Sequence, residues 1–302
     1  MDCFSLRDPI FFASQVIAGL ATGGIFALVA LGFVLIYKAS DVVNFAQGDL
    51  LMVGAYVGWA LATAGLPFPV AFVLTLGVAA VVGLLIERIV LRPMIGEPII
   101  AVIIVTLGLS SMLRGIVFFL ASTEVRRFPD GALPITPVQV GPFLVPEIYA
   151  WALAIAAAAV AVLTLFFRFS RQGIALRAAA DDQQAAMSMG IRISWVFALS
   201  WALSASVAAA GGILLGNLTG VNFTLADIGL QVFPVVILGG LDSIPGAIVG
   251  GLVIGVLQNL ASSYLDPCVG GGLKNVFPFF ILVAILMLKP YGLFGRERIE
   301  RV

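Results

Sequence analysis

The chain has 302 residues, of which 61% are hydrophobic and 11% charged, and its mean hydropathy is +1.14. A soluble domain carries roughly 45–50% apolar and about 25% charged residues, so this composition excludes one and points to a membrane-embedded chain. Lys plus Arg and Asp plus Glu balance at 16 each, which gives no basic surface for nucleic acid, and the lack of histidine excludes imidazole metal sites and histidine proton relays.

Apolar runs of helical length recur near 10–36, 44–62, 68–91, 98–121, 147–169, 194–216, 229–260 and 276–288. Most are long enough to cross a hydrocarbon core of about 30 Å at about 1.5 Å per residue. Short alternating segments of the kind that build barrels do not occur. The expected fold is therefore all-α and polytopic, with about 8–10 transmembrane helices, some broken or re-entrant, in one membrane domain over 1–302. The first run follows "MDCFSLRDPIFF" without a small-residue cleavage site, so it reads as mature protein and not as a signal peptide. Cys3 and Cys268 are too few for a disulfide framework.

The second run opens on "VVNFAQGDLLMVGAY", where Asn44, Gln47 and Asp49 stand in place of apolar residues. On an ideal helix at about 100° per residue, Asn44 and Gly48 share a face and Asp49 points away from them, towards lipid or another helix. A lipid-facing charge costs a few kcal/mol, so a break at Gly48 is the more economical reading. Asp49 then caps a helix over 50–62, about 20 Å long and too short to span alone. Residues 42–48 become irregular backbone facing protein or water.

The fourth run contains Arg114 in "LSSMLRGIVFF", about five to seven residues from its outer end. Snorkelling or a helix–helix ion pair is the plain reading, and contact with a substrate carboxylate is the sharper one. Residues 122–146 hold five prolines and read as an irregular outer loop. Residues 170–193 are Ala-rich and charged, and predict a short helix stopped by Gly190. Asp181 and Asp182 follow Arg177 at spacings that permit one local ion pair. This segment is either a solvated linker or a docking helix for a cytosolic partner.

The seventh run is interrupted by "GGLDSIPGA" at 239–247. Gly240, Asp242, Ser243 and Pro245 predict a break, with the helix restarting at 242–245, and hence two short passes or a re-entrant hairpin. With two passes, Lys38, Arg88, Arg92, Arg168, Arg171, Arg177, Arg192, Lys289, Arg296, Arg298 and Arg301 share one side. The positive-inside rule makes that side cytosolic, with Arg7, Arg126, Arg127 and Lys274 outside, the N-terminus outside and the C-terminus inside. Both helix breaks then fall near the inner face, which favours an inner gate over a midplane solute site; the alternative is that both are caps at headgroup level. Gly19, Gly23 and Gly24, and Gly211, Gly212 and Gly216, read as close-packing surfaces between helices, within the chain or at a seam with a second membrane chain. The chain has no G-x-x-x-x-G-K-[ST] loop and no G-x-S-x-G elbow, so neither nucleotide binding nor catalysis is expected.

Three stretches, "GGIFALVALGFVLIYKASDVVNFAQGDLLMVGAY", "ALRAAADDQQAAMSMGI" and "VVILGGLDSIPGAIVGG", resemble the LivH-type permease family over nearly the whole chain. These are membrane subunits of ABC importers for branched-chain amino acids. The resemblance implies a non-enzymatic permease subunit in the bacterial inner membrane. Its partners would be a related but distinct second permease, two cytosolic ATPases that carry Mg-ATP, and a periplasmic solute-binding protein. No cofactor would be bound by this chain itself. The coupling helix would lie at about 177–190, with Arg177, Ala179, Ala180, Asp181, Asp182, Ala186 and Gly190. The place of the wider family's "EAA" signature is taken here by "RAAADD". Asn44, Gln47, Gly48, Asp49, Gly240, Asp242, Ser243 and Pro245 would line the path or its gate. Relatives also carry urea, amides and other small organic solutes, which stands as the alternative solute class. A stand-alone secondary transporter is disfavoured because the acids cluster at loops and span ends.

Overall fold

The computed structural model describes residues 9–121, 124–129, 133, 136–140, 143–289 and 292–295. Cys3, Arg7, Arg296, Arg298 and Arg301 lie outside the described residues. Eleven α-helices follow in order among the described residues. They are α1 (Pro9–Ser40), α2 (Gln47–Thr63), α3 (Phe68–Ile86), α4 (Ile99–Ala121), α5 (Glu147–Phe169) and α6 (Arg171–Asp181). After them come α7 (Gln183–Ser188), α8 (Ile193–Thr219), α9 (Ile228–Gly239), α10 (Ile244–Val269) and α11 (Leu273–Leu288). Among the described residues, six helical segments are long and apolar enough to cross a membrane, while α2, α9 and α11 are shorter. The chain is an all-α, multi-pass membrane protein.

The core is built on α1, which is apolar on every side and packs against α10, α8, α5 and α9. Glycine makes the closest of these contacts possible. A Cβ on Gly23 would strike the backbone of Gly251 and Leu252, and one on Gly255 would strike Gly23. Without a hydrophobic drive between helices in lipid, this close approach supplies the van der Waals contact that holds them. α2 and α3 pack on the other side of α8. α3, α4, α5 and α11 lie at the periphery and expose Ile104, Phe119, Val162 and Met287 among other large apolar side chains, as a lipid-facing ring requires.

Two ends can be told apart by their contacts. At one end, Trp59 Nε1 donates to the Arg127 carbonyl, and Arg126 pairs with Val221 in an isolated bridge. At the other, Gln183 Nε2 donates to the carbonyl of Ala39 at the end of α1. We call these the outer and inner ends, following the distribution of Lys and Arg.

Two local features differ from the sequence expectation, and a third has no counterpart in it. The outer segment 122–146 carries two antiparallel strands, β1 (Pro137–Val140) and β2 (Phe143–Pro146), because the β-branched and aromatic residues in "PVQV" and "FLVP" outweigh the flanking prolines. The inner segment 170–193 is two helices and not one. Asp182 leaves the helical conformation and caps α7, its Oδ1 accepting from the amides of Gln184 and Ala185 at 2.8 and 2.9 Å. Finally, α3 closes through a π-turn (Glu87–Leu91) and a 3-10 turn (Arg92–Met94), since Pro93 has no amide hydrogen to continue the ladder. Glu87 is buried there and receives two bonds from Arg92 at 2.9 and 3.1 Å.

The interruption at 239–247 is present as expected. Ser243 caps α10 by accepting from the Gly246 amide at 3.1 Å, and Pro245 sits in the first turn, where no donor is needed. The last described residues fold onto this break, with Leu293 and Phe294 donating to the carbonyls of Leu238 and Gly239.

Candidate functional site

The site lies where the polar stretch that opens α2 meets the start of α9. α1 ends at Ser40, Asp41 turns the chain with φ of 54°, and 42–46 run without helical structure. The break therefore comes before Gln47. It does not fall at Gly48, which lies within the first turn of α2. Asp49 is likewise not a cap. The local turn is made by Asn44, whose Oδ1 accepts from the Ala46 amide at 3.0 Å.

Asp49 is instead 1% exposed and accepts from Arg114 Nε at 2.7 Å. Arg114 reaches across from α4, and its Nη1 donates to Asp227 at 3.2 Å. Arg114 is thus engaged in a helix–helix ion pair, and it joins the beginnings of two helices. Asp49 stands in the first turn of α2, and Asp227 is the residue from which α9 begins. Asp49 sits in the first turn of its helix, where the peptide dipoles favour negative charge by about 0.3–1 kcal/mol, whereas Asp227 closes a 3-10 turn (Phe223–Asp227) that runs on into α9. Asp227 is half exposed, so Asp49 is the one buried acid that this guanidinium answers.

The two first turns touch directly. A Cβ on Gly48 would collide with the Ala226 carbonyl and with Gly229, and one on Gly229 would collide with Gly48. Glycine at both positions allows the backbones to meet.

Gln47, the first residue of α2, is fully buried. Its Oε1 accepts from Ser204 Oγ at 2.9 Å and from Asn44 Nδ2 at 3.3 Å, and its Nε2 donates to the Ser204 carbonyl at 3.4 Å. Ser204 Oγ also approaches the Gly32 carbonyl at 2.8 Å. Gly32 lies eight residues before the end of α1, about 12 Å into the bundle at about 1.5 Å per residue. The first break therefore starts at the inner end but returns to mid-depth by Gln47. The second break, at Gly240, stays at the inner end. The expectation that both sit near the inner face is corrected for the first. Its cause is the extended backbone of 42–46, which climbs back along α1 before α2 begins.

Two cavities flank this junction. An inner one of about 180 Å³ is lined by Ser40, Asn44, Glu97, Thr106 and Gln183 among others. An outer one of about 510 Å³ is lined by Thr22, Thr219, Asn222, Asp227, Gln231 and Lys274 together with apolar residues. Residues 44–48 link the two, since Asn44 belongs to the inner wall and Gly48 touches the backbone beside Asp227. Packed rings of Phe33, Phe45 and Phe233, with centroids 6.0–6.3 Å apart along the chain of contacts, accompany the junction.

The structure separates the remaining sequence candidates. Gly240, Asp242, Ser243 and Pro245 form the turn between α9 and α10, well away from Gln47 along α9. In the inner helices, Arg177, Asp181 and Asp182 are exposed, whereas Ala179 and Ala186 are buried against the chain's own helices. Ala180 is half-buried, and Gly190 adopts φ of 84° after α7. The small side chains of Ala179 and Ala186 serve packing within the chain. Ser204, Asp227 and Lys274 were missed because a lone polar residue in an apolar helix or a short loop carries no motif. Met187 and Met189, 53% and 84% exposed on the inner helices, were missed because methionine reads as core.

Comparison with known proteins gives a consistent result. Residues 15–286 match the family described as branched-chain amino acid transport system, permease component. The chain is 31% identical to the high-affinity branched-chain amino acid transport system permease protein LivH of Escherichia coli (strain K12), over 97% of this chain and 98% of that protein. It is 29% identical to the corresponding permease protein BraD of Pseudomonas aeruginosa, over 96% and 98% of the two chains. A probable LivH of Methanocaldococcus jannaschii is 31% identical over 89% and 88%.

Proposed function

The chain belongs to the branched-chain amino acid transport permease family, and from that premise we propose that it is the membrane subunit of an ATP-driven, binding-protein-dependent importer of branched-chain amino acids. It supplies half of the translocation path, and a second, related permease supplies the other half.

The observation that carries this reading is the meeting of α2 and α9 at Gly48 and Gly229, between an outer and an inner cavity. Discontinuous helices whose ends meet inside the bundle are a usual way for transporters to build a solute path. A purely structural helix bundle would have no reason to bury Asn44, Gln47, Asp49 and Ser204 together, given what each polar group costs away from water.

In this reading a loaded periplasmic binding protein docks on the outer segment 122–146. Two cytosolic ATPases carry Mg-ATP and press on α6 and α7, and no cofactor is held by the permease. Gln183 at the start of α7 passes that movement to Ala39, beside the break that leads to Gln47. Closing and opening at 44–48 then alternates access between the two cavities. The protein resides in the bacterial inner membrane with its C-terminus in the cytosol, and it performs no chemistry of its own.

The test is reconstitution of the permease with its second permease, ATPases and binding protein in liposomes. ATP-dependent uptake of leucine, isoleucine or valine is the expected result. Uptake confined to urea or amides, or uptake without ATP, would overturn the proposal.

A further inference from the structure

We propose that the outer cavity is a docking site for a zwitterionic amino acid, with Asp227 receiving the ammonium, Lys274 the carboxylate, and an apolar wall the side chain. The inference rests on the importer reading and names where the solute first meets this chain.

The cavity of about 510 Å³ is of the size that small-molecule sites have. One acid and one base line it, at opposite elements: Asp227 at the start of α9 and Lys274 in the first turn of α11. Asp227 is 53% exposed, and its Oδ1 accepts from Arg114 at 3.2 Å. Among the described residues its Oδ2 has no donor, so that oxygen remains open to a ligand ammonium. Lys274 is exposed and forms no ion pair among the described residues. Its placement is also unfavourable for the fold, because a cation in the first turn of a helix is opposed by the dipole. A bound carboxylate relieves that conflict.

The backbone beneath Lys274 is held in place. Gln258, which is 1% exposed, donates to the Lys274 carbonyl and, at 3.3 Å, to Gln231 Oε1, and Gln231 donates to Asn275 at 3.4 Å. In the same cavity Ile228, Leu230 and Phe279 present accessible apolar surface for an aliphatic side chain, with Phe26 and Leu215 packed behind. One acid, one base and an apolar wall match the three parts of a branched-chain amino acid. Urea or an amide would leave both charges unanswered.

The test uses the full importer in liposomes, with Thr219→Cys introduced in the cavity wall and Cys3 and Cys268 replaced by serine. Labelling by a membrane-impermeant maleimide is followed without the binding protein. L-Leucine is expected to protect the cysteine, while leucinamide, which lacks the carboxylate, and 4-methylpentanoate, which lacks the ammonium, need about tenfold more for the same protection. Asp227→Asn and Lys274→Gln should each weaken leucine protection by about tenfold or more. Because Asp227 also holds Arg114, Lys274→Gln decides the question if Asp227→Asn fails to assemble. Should the parent complex take up leucine with no protection of the cysteine, or should Lys274→Gln protect as well as the parent, the docking site is wrong and the importer reading stands. Absence of leucine uptake by the parent complex would count against the importer reading instead. Protection that depends on phosphatidylethanolamine in the liposomes and ignores leucine would assign the cavity to a lipid headgroup and overturn the proposal.

Discussion

Gly48 and Gly229 bring the first turns of α2 and α9 into backbone contact, with no side chain between them. A methyl group on either must displace main chain and not a flexible side-chain end. Gly48→Ala and Gly229→Ala are each expected to destabilise the protein by at least about 1–3 kcal/mol, the usual cost of overpacking. Gly108→Ala in α4 is the control, since its Cβ would meet nothing within 4 Å and alanine is the better helix former by about 1 kcal/mol. Thermal unfolding in detergent should therefore fall for the first two and hold or rise for the third.

The Asp49–Arg114 pair makes a second prediction. Asp49 is buried, so Arg114→Ala leaves an uncompensated charge inside the bundle and should cost about 3–5 kcal/mol. Replacing both partners, Asp49→Asn with Arg114→Gln, removes the charge together with its partner. The double variant should unfold at a higher temperature than Arg114→Ala alone. Equal or additive losses would show that the two side chains are not energetically coupled.

These two relationships mark the limit of what the sequence made legible. Hydropathy is enough to read the helices, because a span must be apolar over about 20 residues. The break at 239–247 was also readable, since Gly240, Ser243 and Pro245 each disfavour helix for a local reason. The sequence alone points to a break at Gly48, two residues beyond Ala46, where the turn ends. A helical wheel shows where Asp49 points, but not that Arg114, 65 positions further on, is there to receive it. With that partner, Asp49 has no need to cap, and α2 keeps Gln47 and Gly48 in its first turn. The pairing of α2 with α9 was invisible for the same reason: a glycine that permits contact does not name its partner.

Gln47 and Ser204 lead to a third prediction. Hydrogen bonds between membrane helices contribute about 0.6 kcal/mol on average, so Gln47→Leu and Ser204→Ala should lower stability only slightly. Their effect on transport should be larger if residues 44–48 gate the path. Reconstituted uptake is expected to fall about tenfold or more in each variant at normal assembly, with Asn44→Ala behaving likewise. Unchanged uptake in all three would reduce the cluster to a packing element.

The last prediction concerns the inner helices, where burial divides residues that the sequence grouped together. Ala179 and Ala186 are 2% and 3% exposed and face the chain's own core, so in the proposed complex their part is to hold the inner helices in place. Met187 and Met189 project outward, and flexible thioether side chains suit a surface that must follow a moving partner. Ala186→Glu should therefore destabilise the permease itself, since it drives a charge into packed helices. Met187→Ser and Met189→Ser should leave its melting temperature nearly unchanged, within about 0.5 kcal/mol, because exposed positions contribute little to the fold. The paired methionine variants should nevertheless retain the ATPase subunits about tenfold less well on purification, the loss expected when an apolar contact worth about 1.4 kcal/mol is removed from an interface. Retention equal to the parent would mean that the ATPases engage Arg177, Asp181 and Asp182 through charge alone. In that case the association would weaken steeply with added salt, which is measured in the same pull-down.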